Sequence, residues 1–125
     1  MIFLFFYLLL INIKNIEYVK GTARVILKDT GLESRYKPFA YLDVLAMKMS
    51  AGAANLIISR SGSQIFEIAL WGIPSILIPI PESISRDQRT NAFVYSSTGA
   101  AVVIEERNLT AGVLSSEVDR ILSDV

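Results

Sequence analysis

Residues 55–81, NLIISRSGSQIFEIALWGIPSILIPIP, decide the fold. The runs at 55–59 and 74–78 are short, continuous and apolar, which is typical of strands buried on both faces of a sheet. Between them, residues 64–71 have the length of a short helix, and Gly72 is a typical helix stop. A strand, a helix and a second strand in this order form a βαβ unit, which predicts two parallel strands.

The alternation continues on both sides of this unit. Downstream, the pattern predicts a helix over 85–97, a strand over 100–104 and an amphipathic helix over 110–123, with the Asn108-Leu109-Thr110 run interpreted as a turn and helix cap. Upstream, it predicts a weak helix over 15–29 stopped by Gly31, a short strand over 35–39, and a helix over 43–53 capped by Asp43. Strands that alternate with helices at this spacing predict an α/β fold, a Rossmann-like parallel sheet with helices on both faces.

The composition excludes several classes of function. The chain has 125 residues, enough for one domain, and its 12 Lys and Arg balance 12 Asp and Glu. A neutral chain argues against a protein that holds nucleic acid through a basic surface. With no Cys, the chain has no disulfide and no thiolate metal site. With no His, it lacks the side chain that most often serves as a general base. Its chemistry must use carboxylates, hydroxyls, amides, Arg or Lys, and no metal site is predicted.

The N-terminal segment, residues 1–13, is apolar except for Asn12. It is shorter than the roughly 20 residues that span a bilayer, and it lacks the basic start and small-residue cleavage site of a secretory signal. Three interpretations stay open: a truncated element or docking surface whose partner lies elsewhere, a membrane-surface anchor, and a misplaced start. Residues 14–125 are predicted to form the ligand-binding domain.

Two loops are candidates for a ligand site, because ligands of open parallel sheets bind beyond the carboxyl ends of the strands. These loops are residues 59–63 and 79–85. The first is rich in serine, its Gly62 permits close backbone approach, and a helix begins directly after it. The free N–H groups and positive dipole end of that helix would face an anion such as a phosphate. The alternative is that Ser61 or Ser63 merely caps the helix.

Two charged residues near the first loop also allow two interpretations each. Arg60 lies near the anion or is a solvated charge. Glu67, one turn into the helix, either benefits from the helix dipole without a ligand or accepts hydrogen bonds from a ribose diol.

The second loop leads into a polar helix start. The polar side chains that gather there are those of Glu82, Arg86, Asp87, Gln88 and Asn91. They are interpreted as a wall that hydrogen-bonds sugar hydroxyls. Ser85 and Gln88 also have the spacing of a capping box, which gives Gln88 a competing structural role.

At this point the sequence resembles a known family. Residues 55–81, with DQRTNA at 87–92 and TGAAVVIEE at 98–106, closely resemble the C-terminal, donor-binding half of MurG-type glycosyltransferases. These are family 28 enzymes with the GT-B fold, which transfer N-acetylglucosamine from UDP-GlcNAc to lipid I and so make lipid II for peptidoglycan. The resemblance implies UDP-GlcNAc as substrate. Because a helix N-terminus can take the part of a metal ion and no acidic pair stands out in the sequence, we expect no metal or other cofactor.

The resemblance also implies roles for individual residues. Ser61, Gly62, Ser63 and Gln64, with the helix behind them, would meet the UDP diphosphate. Glu67 would bind the ribose hydroxyls, and Gln88, with Asp87 beside it and Asn91 after it, would contact the GlcNAc hydroxyls. The segment 36–39 resembles the stretch whose backbone reads uracil, with Phe39 as the matching residue.

In the family, a separate N-terminal domain carries the lipid I site, the catalytic base and the main membrane contact. This chain shows no counterpart, so we expect a partial enzyme that holds UDP-GlcNAc but is inactive alone. It would meet lipid I only with that domain or a partner subunit, in the cytoplasm or at the inner face of the plasma membrane. The alternatives are a non-catalytic donor-binding subunit that needs a membrane partner, and a generic nucleotide-binding domain.

Overall fold

The computed structural model describes residues 24–36, 39, 42–62, 64–81 and 86–123. The chain divides into two compact units, with the boundary between Met47 and Lys48. Each unit is described by itself.

The smaller unit begins, in its described part, with a helical stretch over residues 24–27, here called α1. It ends at a turn in which Asp29 and Gly31 have φ angles of 61° and 74°. The Thr30 hydroxyl donates to the Leu27 carbonyl at 2.6 Å, which satisfies one of the last helical carbonyls. The predicted stop at Gly31 is therefore confirmed, while residues 15–23 of the predicted helix lie outside the described residues.

The strand predicted from Arg35 onward is wrong at Arg35. Residues Glu33–Arg35 form a 3-10 helix, with the N–H of Arg35 bonded to the Leu32 carbonyl at 3.0 Å. The Glu33 carboxylate also accepts from the Asp29 N–H at 3.0 Å, so local hydrogen bonds hold this segment in a tight turn. Tyr36 has extended backbone angles, and residues 37–38 lie outside the described part.

The larger unit is built on a three-stranded parallel sheet with the order β1-β2-β3. The strands are β1 (Ile57–Ser59), β2 (Ser75–Leu77) and β3 (Ala101–Val103). The helices are α2 (Val44–Ala53), which crosses the boundary between the units, then α3 (Gln64–Trp71), α4 (Arg86–Ser96) and α5 (Ala111–Ser123), and Glu106–Asn108 form a second 3-10 helix. The predicted α/β class is confirmed, as are the strands predicted over 55–59, 74–78 and 100–104.

Both faces of the sheet are covered by helices, as predicted. On one face Leu56, Ile58, Ile76, Ile78 and Ile104 pack with Val118 of α5. On the other face Ile57 and Leu77 pack with Ile65 and Ile68 of α3 and with Ala92 of α4. Every residue of β1 and β2 is buried, which explains why these strands are apolar without alternation.

Three predicted helix ends are confirmed. The Asp43 carboxylate caps α2 by accepting from the N–H three residues on, at 2.7 Å. Gly72 ends α3 with a φ of 65°, a conformation that favours glycine. The Thr110 hydroxyl caps α5 by accepting from the N–H of Val113 at 3.1 Å.

The apolar segment 1–13 lies outside the described residues, so each interpretation given for it stays a prediction. Within the described ranges, no helix is both long enough and apolar enough to cross a membrane.

The buried hydroxyl of Ser75 is expected to lower the stability of the protein. It is 1% exposed in β2, and its hydroxyl finds no hydrogen-bond partner among the described residues. A buried hydroxyl without a partner costs about 1 kcal/mol or more, so Ser75→Ala should raise the free energy of unfolding by about that amount. Denaturant unfolding monitored by circular dichroism measures it.

Ser59→Ala is the matched control, because the equally buried Ser59 hydroxyl donates to the Arg60 carbonyl at 2.8 Å. That variant should lose stability. A loss of stability in Ser75→Ala as well would contradict the prediction.

Candidate functional site

The loops that follow β1 and β2 meet at one edge of the sheet, as their positions in the sequence predict. Parallel strands end at the same edge, so residues 60–62 after β1 and 78–81 after β2 lie side by side there. The first turn of α4 joins them, because the Ser61 hydroxyl donates to the Gln88 carbonyl at 2.6 Å. The two candidate loops therefore form one continuous polar edge.

The Ser61 hydroxyl makes a contact that its local sequence does not predict. Its side chain is completely buried, and its proton is used in the hydrogen bond to Gln88, 27 residues further along the chain. The hydroxyl therefore ties the turn after β1 to the start of α4, a role distinct from both the exposed anion ligand and the helix cap considered from sequence.

The start of α3 follows this turn directly. The Gly62 carbonyl accepts from the Ile65 N–H at 3.2 Å, and Gly62 itself is partly exposed. The first N–H groups of a helix have no partner within the helix, and they carry the positive end of its dipole. Ser63 and the side chain of Gln64 lie outside the described residues, and Glu67 is exposed in the first turn. This arrangement can present backbone N–H groups to an anion.

The Gln88 side chain has a defined orientation. Its Oε1 atom accepts a hydrogen bond from the Ile80 N–H at 3.1 Å. Because a backbone N–H can only donate, the amide atom that faces it must be the oxygen, and Nε2 is left with two hydrogens to donate. The oxygen that a capping box with Ser85 would use thus has another partner, and Ser85 itself lies outside the described residues.

Asp87 and Asn91 are exposed on the first turns of α4. They are four residues apart and so lie on one face of the helix. The side chain of Arg86 and the whole of Glu82 lie outside the described residues. Of the predicted polar wall, the structure thus places Asp87, Gln88 and Asn91 at the start of one helix.

Arg60 makes contacts that neither interpretation of it from sequence included. Its guanidinium donates to the carbonyls of Ile78 at 3.3 Å and Pro79 at 3.4 Å, and it pairs with Glu106 at 3.3 Å. Arg60 follows β1, the two carbonyls follow β2, and Glu106 follows β3. Its side chain is only 22% exposed. It therefore ties together the carboxyl ends of all three strands.

A second ion-pair group, centred on Glu105, was also missed from sequence. Arg89 from α4 and Arg107 both donate to its carboxylate, the latter at 2.7 Å. The hydrogen bond from Arg89, and then that from Arg107, hold the pKa of Glu105 below its usual value. The Arg89 guanidinium also lies 5.0 Å from the centre of the Phe93 ring, a cation–π distance. No short-range pattern marks the pair of Arg89 and Glu105, which lie 16 residues apart, on α4 and after β3.

A pocket of about 320 Å³ opens at this edge of the sheet. It is lined by residues 79–81 after β2, by Arg89, and by residues 105–107 after β3. Its volume is at the lower end of the range for small-molecule sites. Ile80, the partner of Gln88, is part of its wall.

Two further predictions remain open. Phe39 belongs to the smaller unit and is 56% exposed, so its proposed role in reading uracil stays a prediction. No group of three or more carboxylates in the described part of the chain is arranged to hold a metal ion. That binding needs no metal also stays a prediction.

Comparison with known proteins gives a consistent result. The model of the glycosyltransferase family 28 C-terminal domain matches residues 7–124. No solved structure matches this chain at a significant level.

Three curated relatives carry the name UDP-N-acetylglucosamine–N-acetylmuramyl-(pentapeptide) pyrophosphoryl-undecaprenol N-acetylglucosamine transferase. The protein from Bartonella tribocorum is 34% identical over 84% of this chain. Those from Burkholderia cenocepacia and Agrobacterium fabrum are 33% and 40% identical over 83% and 62% of it. The chain spans between 21% and 28% of the length of these relatives.

The Glu105 group generates a prediction about pH. A carboxylate whose pKa is lowered by folding contributes stability above its unfolded value, near 4.5, and loses that contribution as pH falls through the folded value. We expect Glu105→Gln to show a shallower loss of melting temperature on acidification than the wild type. Thermal melts between about pH 3 and about pH 7 measure the slopes.

Arg89→Met removes the larger of the two causes of the shift and should give an intermediate slope. Parallel pH curves for the wild type and Glu105→Gln would refute the role assigned to this carboxylate.

Proposed function

The chain belongs to glycosyltransferase family 28 as a C-terminal domain, and from this membership we propose that it binds UDP-GlcNAc as the donor half of a transferase that makes lipid II. In the reaction we propose, a hydroxyl of lipid I attacks the anomeric carbon of GlcNAc. The bond from that carbon to the diphosphate oxygen breaks, and UDP leaves. The group that removes the proton of the attacking hydroxyl is assigned to no residue of this chain.

The observation that carries the proposal is the direct contact between the first loop and the start of α4. The resemblance assigns the turn at Ser61 to the diphosphate and Gln88 to the sugar, which are neighbouring parts of one donor molecule. The 2.6 Å hydrogen bond between these two residues holds them next to each other at one edge of the sheet, which supports both assignments. A single extended ligand can therefore contact both the turn after β1 and the start of α4.

The diphosphate would be held by backbone groups. Because Gly62 has no side chain, the diphosphate can come close to the backbone there. The start of α3 offers N–H groups and the positive end of the helix dipole. The same groups would stabilise the negative charge that grows on UDP as it leaves, which is the contribution to catalysis proposed for this chain. Neither contribution requires a metal ion.

The ribose and the sugar would be held by side chains. Glu67 is exposed beside the turn, where a carboxylate can accept hydrogen bonds from the two ribose hydroxyls. Gln88 can donate from Nε2 to a hydroxyl of GlcNAc, while its oxygen stays bonded to Ile80. We propose that the protein acts in the cytoplasm, as the resemblance implies, and meets its lipid acceptor at the inner face of the plasma membrane.

Glu67→Ala tests the ribose contact. Hydrogen bonds to a charged group contribute about 1.5 kcal/mol or more, so the affinity for UDP-GlcNAc should fall about tenfold. Isothermal titration calorimetry on the 125-residue chain measures this affinity. Glu117→Ala, which removes a carboxylate of α5 that pairs with Arg120, is the control and should bind as the wild type does. Equal binding by the wild type and Glu67→Ala would remove Glu67 from the site.

Gln88→Glu tests the sugar contact with little change in shape. The carboxylate can still accept from the Ile80 N–H, but it has no hydrogens to donate. We expect the affinity for UDP-GlcNAc to fall about fivefold more than that for UDP, because the new negative charge weakens diphosphate binding in both ligands while the sugar contact is lost only in UDP-GlcNAc. Titrations with both ligands and with AMP measure these values. Equal affinities for all three ligands in the wild type would favour a generic nucleotide-binding domain instead.

A further inference from the structure

We propose that Arg60 is a positioning residue that sets the orientation of the Gln88 amide through the peptide unit between Pro79 and Ile80. Arg60 itself does not contact the donor in this proposal. The inference rests on the proposed function, because it takes Gln88 as the residue that meets the donor sugar.

The peptide unit between Pro79 and Ile80 is held at both ends. Its carbonyl belongs to Pro79 and accepts from Arg60 at 3.4 Å. Its N–H belongs to Ile80 and donates to Gln88 Oε1 at 3.1 Å. A trans peptide is planar, with its carbonyl and N–H pointing in opposite directions. Holding the carbonyl therefore also holds the direction of the N–H.

The loop around this unit is stiff. Proline at position 79 fixes its own φ, and proline at position 81 restricts the backbone of Ile80 before it. Arg60 also binds the preceding carbonyl, of Ile78, at 3.3 Å, and both Ile78 and Pro79 are buried. With two adjacent carbonyls held by one guanidinium, the peptide unit has little freedom to turn.

The positive charge of Arg60 also strengthens the hydrogen bond from the Ile80 N–H to Gln88. A cation at a peptide carbonyl polarises the unit, so that its N–H becomes a better donor. The Arg60 side chain is only 22% exposed, and its other terminal nitrogen pairs with Glu106 at 3.3 Å. The charge is therefore fixed in place and partly shielded from water.

The consequence for Gln88 concerns which amide atom meets a ligand. Its backbone is held by the Ser61 hydroxyl and its oxygen by the Ile80 N–H. If the peptide unit turned, the oxygen would lose its partner and the amide could flip, offering an acceptor where the structure offers a donor. Arg60 thus contributes to the preference for the sugar rather than to the affinity for the nucleotide.

The decisive variant is Arg60→Met, which keeps an apolar stem and removes the guanidinium. In titrations of the full 125-residue chain, the affinity for UDP-GlcNAc should fall about threefold to tenfold and that for UDP less than about twofold. Arg60→Lys keeps the charge but not the planar set of guanidinium donors, so it should lose less affinity for UDP-GlcNAc than Arg60→Met. It carries the test if the methionine variant does not fold. Arg120→Met, the loss of an ion-paired arginine on α5, is the control and should change neither affinity.

A double-mutant comparison separates positioning from general loosening of the site. Once Gln88→Ala has removed the amide, adding Arg60→Met should cause no further loss of UDP-GlcNAc affinity. Additive losses, or equal losses for UDP and UDP-GlcNAc in the single variant, would overturn the inference.

A measurement without ligand keeps the inference distinct from the proposed function. Amide hydrogen exchange of Ile80, followed by NMR, should be about threefold or more faster in Arg60→Met than in the wild type. Unchanged exchange would overturn the connection through the peptide unit. A wild-type chain that binds neither UDP nor UDP-GlcNAc would overturn the proposed function, while faster exchange in the variant would still support the connection.

Discussion

The hydrogen bond from the Ser61 hydroxyl to the Gln88 carbonyl is the contact on which the candidate site depends. The strands behind it are only three residues long, so the loops after them have little sheet to hold them. Burial on both faces fixes where β1 and β2 end, and their parallel order brings both ends to one edge. The buried Ser61 hydroxyl, bonded to the Gln88 carbonyl, then holds the first loop against α4.

The charges at this edge are largely used within the protein. Arg60 pairs with Glu106, and both Arg89 and Arg107 pair with Glu105. An anionic ligand would therefore gain little from these described cations unless it broke existing pairs. Backbone N–H groups at the start of α3 require no such exchange, and a preorganised dipole costs no rearrangement when charge develops. The balanced composition of the chain is consistent with an anion site of this kind.

What could be predicted from sequence was set by interactions close along the chain. The strands follow from continuous apolar runs, and the caps at Asp43 and Thr110 follow from side chains three residues from their partners. The strand predicted from Arg35 failed because local hydrogen bonds formed a 3-10 helix there instead. The contacts of Ser61 and Arg60 span between 18 and 46 residues, and no local pattern encodes which distant carbonyl a side chain will meet. The candidate loops were predictable, but the connections between them were not.

In the proposed site, two kinds of group recognise the donor, namely backbone N–H groups and the side-chain amide of Gln88. Backbone N–H groups depend on the path of the chain, so substitutions that keep the turn leave them in place. The Gln88 amide instead depends on two further residues for its orientation, Ser61 for its backbone and Ile80 for its oxygen. In the function proposed above, the preference for the sugar is then the more fragile property, because a change at Ser61 or Ile80 can leave the Gln88 amide free to offer an acceptor in place of a donor.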